Sequence, residues 1–169
     1  MIKVAVIGPE STGKTTLAKS LAAHFNTIWV PEYARTYLNQ LDRPYVQSDL
    51  LEIAKGQMES EKELESSANG ILFCDTDLHV IKVWSEYKFG ECDPWILNRL
   101  ETQYYDFFLL TFFDIPYEDD PLRENPEERP YFFDIYYNML LDRGLHFAVI
   151  QGNTNERLEL AKKMVSSLL

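Results

Sequence analysis

Short apolar runs alternate with stretches of helical periodicity along this chain. Residues 2–7 form an almost continuous apolar run that stops at Gly8 and Pro9. This is the pattern of a strand buried on both faces. Four further runs of this kind predict strands at residues 27–30, 71–74, 107–111 and 147–150.

The segments between these runs carry apolar residues three and four positions apart, which is the spacing of one helix face. Leu17, Leu21 and Phe25 form such a stripe directly after the first strand. Asn153 and Glu156 have the spacing of a capping box at the start of the last helix. Strands and helices that alternate in this way predict a parallel α/β sheet.

The alternation breaks between residues 116 and 130, where half of the eight prolines lie. Such a segment cannot be regular structure throughout. Residues 101–134 also hold ten acidic side chains and two basic ones, Arg123 and Arg129, so they carry −8 of the net charge of −11. We expect a mobile lid here, at about residues 116–130.

Composition restricts the class of protein. A chain of 169 residues, 46% hydrophobic and 25% charged, is typical of one globular domain, here residues 1–169. The excess of acidic residues has the wrong sign for neutralising nucleic-acid phosphates. No run approaches the ~20 apolar residues of a membrane span, and no signal peptide or cysteine framework is present. We therefore expect a cytoplasmic domain without nucleic-acid or membrane partners, and we leave its oligomeric state open.

The first apolar run is followed by a phosphate-binding motif. Residues 8–15 read GPESTGKT and fit G-x-x-x-x-G-K-[ST] between a predicted strand and a predicted helix. Lys14 is expected to reach the β- and γ-phosphates, and the Thr15 hydroxyl to coordinate Mg²⁺. The predicted nucleotide-binding residues of this loop are Gly8, Glu10, Ser11, Thr12, Gly13, Lys14, Thr15 and Thr16.

A P-loop alone does not separate kinases from GTPases or motors. The chain has no N-K-x-D guanine motif, and residues 75–78 lack the glycine of a switch D-x-x-G. A RecA- or AAA-type motor needs a larger domain. These absences favour a small kinase of the nucleoside or nucleotide type.

Acidic residues follow two further predicted strands, at the edge where open α/β sheets bind ligands. Asp75 suits a magnesium-linked Walker B role, whereas Asp77 either faces the site or caps the next helix. Glu32 is the best candidate for accepting the proton of a substrate hydroxyl, with Asp75 as the alternative. Arg35 either holds the transferred phosphate or pairs with Glu32.

Several motifs occur together with this loop: WVPEYAR at 29–35, IAKGQ at 53–57, FCDTD at 73–77 and PYEDDPLR at 116–123. With them the chain resembles the bacterial ribosylnicotinamide kinases over nearly its whole length. That activity belongs to the kinase domain of the bacterial nicotinamide mononucleotide adenylyltransferase and NAD regulator. No H-x-G-H nucleotidyltransferase motif is present, so we expect the kinase to stand alone.

The resemblance implies a P-loop NTPase fold with a five-stranded parallel sheet in three layers. It implies transfer of the ATP γ-phosphate, with Mg²⁺, to the 5′-hydroxyl of nicotinamide riboside. It further implies that Arg123 closes over the phosphates and that Gly152, Asn153 and Thr154 lie near adenine. The residues that it implies around the riboside are Glu32, Tyr33, Asp75, Asp77 and Trp84.

Alternatives remain at this point. Trp84 shares an apolar helix stripe with Val80, Val83 and Tyr87, so a core position is the competing interpretation. The acceptor could be another nucleoside or small metabolite, because the acceptor pocket is diffuse in sequence. A regulatory module that binds ATP without turnover is a further alternative, and the choice between ATP and GTP is open.

Overall fold

The computed structural model describes all 169 residues and contains five strands and seven helices. In chain order the elements are β1 (Ile2–Ile7), α1 (Lys14–His24), β2 (Ile28–Val30), α2 (Tyr33–Gln40), α3 (Gln47–Glu65), β3 (Ile71–Asp75), α4 (Leu78–Phe89), α5 (Pro94–Leu100), β4 (Phe107–Thr111), α6 (Arg129–Asp142), β5 (Phe147–Ile150) and α7 (Thr154–Ser166).

The five strands form one parallel sheet in the order β2-β3-β1-β4-β5. β1 lies at its centre, with Val4 opposite Phe73 of β3 on one side and Phe107 of β4 on the other. Because all strands run the same way, their carboxyl ends meet at one edge. The loops that follow β1, β2, β3, β4 and β5 therefore converge there, and they carry most of the predicted site residues.

Both faces of the central strand are buried. Val4 and Val6 pack in one cluster with the apolar stripes of α1 and α7, while Ala5 and Ile7 pack in another with α4 and α6. All four side chains have no exposed surface. A third cluster joins α2, α3, α4 and α5. This is the predicted three-layer arrangement, and shortening a core side chain such as Ile7 to alanine costs about 2–5 kcal/mol.

The predicted strands agree with the structure within one residue at either end. The capping box is also confirmed, because the Asn153 side chain accepts from the N–H of Glu156 while the Glu156 carboxylate accepts from that of Asn153. Two short helices were not predicted. α2 has eight residues and α5 has seven, so each apolar face, Tyr33, Ala34, Tyr37 and Leu38 in α2 and Ile96 and Leu100 in α5, spans only two turns.

The proline-rich segment is irregular, as predicted. No helix or strand occurs between Thr111 and Arg129. The last two residues of the predicted range, Arg129 and Pro130, instead open α6, where proline is compatible with the first turn. None of the seven helices combines the length and the apolar composition needed to cross a membrane.

Candidate active site

The loop between β1 and α1 is held in a shape that few residues allow. Gly8 has φ 146°, and a Cβ there would overlap Thr111 of β4. Gly13, with φ 78°, is the N-cap of α1, and Ser11 is left-handed at φ 54°. The Thr12 hydroxyl donates to Pro9 O at 2.8 Å. This is a loop closed on the N-terminus of a helix, the arrangement that binds phosphate through backbone N–H groups.

Arg157 of α7 ties this loop to the neighbouring strand ends. Its guanidinium donates to Thr12 O at 2.8 Å, Phe112 O at 2.7 Å and Gly152 O at 2.7 Å, and it pairs with Asp114. The residue is only 5% exposed. Sequence reasoning missed it, because it lies 145 residues from Thr12 along the chain and no short motif contains both.

Lys14 reaches back over the loop. Its ammonium donates to Pro9 O at 2.7 Å and Gly8 O at 3.1 Å. Burial lowers the pKa of Lys14, and the negative charges of Glu32 and Asp75 oppose that shift. The cation is therefore held by main-chain carbonyls of the loop, where Glu32 and Asp75 act on its charge.

Thr15 and Asp75 meet beside the loop. The Thr15 hydroxyl donates to Asp75 Oδ2 at 2.5 Å, and Asp75 Oδ1 is buried without a hydrogen-bond partner. Burial raises the pKa of Asp75. An unpartnered carboxylate oxygen next to a hydroxyl fits Mg²⁺, which takes one or two protein oxygens and completes its shell with phosphates and water. No cluster of three or more His, Cys, Asp or Glu side chains offers a metal site made by protein alone.

Glu32 is the N-cap of α2, yet its side chain makes no capping hydrogen bond. Its carboxylate lines the same cavity as Lys14. Burial raises the pKa of Glu32, with Lys14 acting against the shift and Asp75 adding to it. Arg35 lies 3.9 Å from Glu32 Oε2 and makes the shorter contact, 2.8 Å, with Asp120 Oδ2 of the lid segment.

One cavity of about 370 Å³ is lined by the P-loop, Glu32 and Arg35, and its size is within the range of small-molecule sites. Trp84 lines it, so this residue is not a plain core position, and its Nε1 donates to the Tyr45 hydroxyl at 3.0 Å. The predicted site residues that line the cavity are Gly8, Glu10, Ser11, Thr12, Gly13, Lys14, Thr15, Thr16, Glu32, Arg35, Trp84, Arg123 and Thr154.

The lid segment lies closed against the loop. The Glu10 carboxylate accepts the main-chain N–H groups of Glu124 at 3.2 Å and Asn125 at 3.0 Å. Ser11 Oγ accepts the N–H of Glu118 at 2.9 Å. On the other side, the Tyr45 hydroxyl donates to Glu124 Oε2 at 2.7 Å. The pairs that Glu10 and Tyr45 make with the lid were not predicted.

The two lid arginines differ in position. Arg123 lines the cavity and donates to Glu118 O. Arg129 donates to Ser11 O at 3.2 Å and Ile115 O at 2.9 Å, so it braces the base of the lid. Of the two, Arg123 is the one that faces the cavity.

Three of the residues expected around the riboside do not line the cavity: Tyr33, Asp75 and Asp77. Asp75 lies beside it, bonded to Thr15. Asp77 is fully buried; its Oδ1 accepts the N–H groups of His79 at 3.0 Å and Val80 at 3.3 Å, and its Oδ2 contacts His79 Nδ1. It caps α4, which was the alternative weighed for it. The Tyr33 ring packs on Gly56 of α3, where a Cβ would overlap it. The substrate roles assigned to Asp77 and Tyr33 stay predictions.

The loop after β5 is only partly at the cavity. Thr154 lines it. The Gly152 N–H is already bonded to Asp114 Oδ2 at 2.6 Å, and the Asn153 side chain caps α7. Their expected place near adenine stays a prediction.

Sheet order, P-loop, buried aspartate and arginine-bearing lid together define a P-loop domain of the nucleoside-kinase type. A family model, AAA_28, described as an AAA domain, matches residues 3–157. The chain belongs to this family. Chain length was used above against a motor, and the description of this family does not make the chain one.

The comparisons with individual proteins agree with that class. The trifunctional NAD biosynthesis/regulator protein NadR of Salmonella typhimurium is 28% identical over 175 residues, covering 96% of this chain and 42% of that protein. The chain thus spans about two fifths of this curated relative. The crystal structure of NadR protein in complex with NR matches with a TM-score of 0.78 and 27% identity, covering 98% of this chain and 51% of that one.

A more distant neighbour shares the fold alone. Thymidylate kinase from Ehrlichia chaffeensis matches with a TM-score of 0.65 and 18% identity, covering 96% of this chain and 98% of that one. The predicted P-loop α/β fold and the resemblance to the bacterial NAD regulator are both confirmed.

Proposed function

We propose that this domain transfers the γ-phosphoryl group of ATP to the 5′-hydroxyl of nicotinamide riboside, in NAD salvage. The similarity to NadR protein in complex with NR, over 98% of this chain, supports that substrate. We further propose that residues 1–169 form one cytoplasmic kinase domain with its lid at 116–130.

The observation that carries the proposal is the content of the cavity. It joins the P-loop with Lys14, a carboxylate left free by α2, and Trp84. A phosphate donor, a hydroxyl acceptor and a flat ring each have a matching group there.

Phosphoryl transfer needs little covalent help from protein, so positioning and charge stabilisation do most of the work. In our proposal the P-loop amides and Lys14 hold the β- and γ-phosphates. Arg123 approaches the transferred group from the lid, and Gly152, Asn153 and Thr154 lie on the adenine side. Thr15 and Asp75 would hold Mg²⁺, which would neutralise charge on the phosphate oxygens.

Glu32 takes the proton of the acceptor hydroxyl in this proposal, and Arg35 steadies the transferred phosphate. Only ionised Glu32 can accept a proton, and its pKa is raised. We therefore expect kcat/KM to increase as pH rises through that raised pKa. Glu32→Gln should lower kcat by about 10²-fold and remove this limb of the pH profile.

Recognition of the acceptor rests on charge and shape. The nicotinamide ring of the riboside is a cation, and the cavity offers Trp84 together with several carboxylates. A cation–π contact is worth about 0.5–2 kcal/mol, so the charged riboside should lead its reduced, neutral form by about 3-fold to 30-fold in kcat/KM.

The test is a panel of acceptors with coupled detection of ADP: nicotinamide riboside, its reduced form, the common nucleosides and no acceptor. We expect nicotinamide riboside to lead. Trp84→Leu should erase most of the lead, and Trp84→Phe should keep part of it. Clear preference for another nucleoside would overturn the substrate, and ADP release independent of any acceptor would overturn the kinase.

A further inference from the structure

Gln57 of α3 binds the first residue of α2, which directly follows Glu32 in the chain. Its Oε1 accepts the main-chain N–H of Tyr33 at 2.9 Å, and Gln57 is only 1% exposed. Tyr33 is the first residue of α2. The N–H that Gln57 binds therefore belongs to the peptide group joining Glu32 to Tyr33.

The rest of that peptide group is fixed as well. Its carbonyl oxygen, Glu32 O, accepts the N–H of Arg35 at 3.3 Å. The Tyr33 ring lies against Gly56, the neighbour of Gln57, with no room for a Cβ between them. Two consecutive residues of α3 thus determine where the Cα of Glu32 sits and how its side chain leaves the backbone.

Gln57 takes the place of the N-cap side chain that usually accepts an N–H at the start of a helix. An N-cap side chain normally turns back and accepts an N–H of the first turn. Glu32 occupies the N-cap position of α2 without doing so, and an acceptor from another helix serves the first N–H of α2 instead. The carboxylate of Glu32 is left to the cavity.

The fold uses only one end of the Gln57 amide. Gln57 Nε2 is buried and has no hydrogen-bond partner. An unpaired buried donor is unfavourable, but an apolar side chain would leave the N–H of Tyr33 without its acceptor instead. The oxygen of Gln57 is the part of the side chain that the fold uses.

We propose that Gln57 is a positioning residue that keeps the carboxylate of Glu32 directed at the acceptor hydroxyl. The inference rests on the proposed function in one respect, namely that Glu32 accepts the proton there. Gln57 itself touches no substrate, because it does not line the cavity.

The test is a double-mutant cycle with Gln57→Met, which keeps the length of the side chain and removes the acceptor. We expect kcat to fall about 10-fold with the KM for ATP unchanged, and the melting temperature to fall by a few degrees because the N–H of Tyr33 loses its acceptor. In the Glu32→Gln background the same substitution should cost less than about 2-fold, since Gln57 acts through Glu32. Equal losses in both backgrounds would refute the proposal.

Tyr37→Phe is the matched control. It removes the bond from the Tyr37 hydroxyl to Asp49 Oδ1, 2.8 Å, which also joins α2 to α3 but lies one turn further from Glu32. We expect kcat to stay within about 2-fold of the parent, with the same small effect in both backgrounds. A 10-fold loss here would show that any loosening of α2 has the effect assigned to Gln57, and would overturn the proposal.

A crystal structure of Gln57→Met separates this inference from the proposed function. We expect the Glu32 carboxylate to turn onto the first N–H groups of α2, and an unmoved carboxylate would refute the inference whatever the enzyme phosphorylates. If the panel identifies another acceptor, the substrate assignment fails, and the cycle run with that acceptor still decides the role of Gln57.

Discussion

The P-loop and the lid face each other across one cavity, but they are held by contacts of different kinds. The P-loop is closed by buried bonds: Thr12 is 1% exposed, and Arg157 binds its carbonyl. The lid is held largely by exposed groups, such as the Lys88–Glu124 pair, whose side chains are 43% and 38% exposed. The P-loop is thus stabilised by buried contacts, whereas the lid is stabilised mainly by contacts at the surface.

This difference matches what a kinase needs from each region. Exposed ion pairs contribute about 0.2–1 kcal/mol each, so opening the lid breaks several weak contacts. Buried polar bonds cost much more to break, because the separated groups lose their partners away from water. We expect the P-loop to stay formed while the lid opens and closes around it.

The sharpest test of the P-loop side is Lys14→Ala. The substitution removes a cation fixed inside the loop, and kcat should fall by about 10³-fold while the protein stays folded. Steady-state kinetics with coupled ADP detection measure the loss. Lys19→Ala, on the exposed side of α1 against Trp29, is the control and should change kcat by less than about 2-fold. Near-normal turnover of folded Lys14→Ala would contradict the kinase mechanism.

On the lid side, Arg123→Ala should lower kcat by about 10²-fold and leave ATP affinity nearly unchanged, because the contact strengthens in the transition state. Arg129→Ala is the comparison, since Arg129 braces the lid base outside the cavity. It should affect stability more than kcat. A larger kcat effect at Arg129 than at Arg123 would reverse the roles of the two arginines.

Arg157→Met tests how firmly the P-loop is built. Three main-chain carbonyls, of Thr12, Phe112 and Gly152, lose their charged donor, and we expect a loss of about 3 kcal/mol in the free energy of unfolding. Urea unfolding measures it. Arg143→Met removes a pair with the exposed Glu101 and one bond to Leu100 O, and should cost about 1 kcal/mol. Equal losses for the two would contradict the contrast between buried and exposed contacts.

The same contrast explains what the sequence could predict. The P-loop could be predicted because β1, the loop and the start of α1 follow one another between Ile2 and Lys14, and each needs particular residue types. Glu32 could be placed at the cavity because it follows a strand whose end lies at the binding edge, and its role stays a prediction. In both cases local pattern and sheet geometry are sufficient.

Long-range partners could not be predicted. Glu10 and Asn125 are 115 residues apart, and nothing in either local sequence indicates the other. Asp75 and Asp77 show the limit at short range. Asp75 ends β3 beside Thr15, and Asp77 caps α4. The pattern D-T-D does not indicate which of the two aspartates contacts the P-loop.

The smallest effect should come from Tyr45→Phe. The Tyr45 hydroxyl accepts from Trp84 Nε1 and donates to Glu124 Oε2, so it joins the aromatic wall of the cavity to the lid. These bonds are partly exposed, and Lys88 still contacts Glu124 at 3.3 Å when the hydroxyl is gone. We therefore expect the binding of the acceptor to weaken by about 0.7 kcal/mol, which is about 3-fold. We expect it as a higher KM for the acceptor with kcat unchanged, measured beside Tyr131→Phe, whose ring is 54% exposed. A loss near 10²-fold would mean that the lid is held as firmly as the P-loop, and the contrast between the two regions would fail.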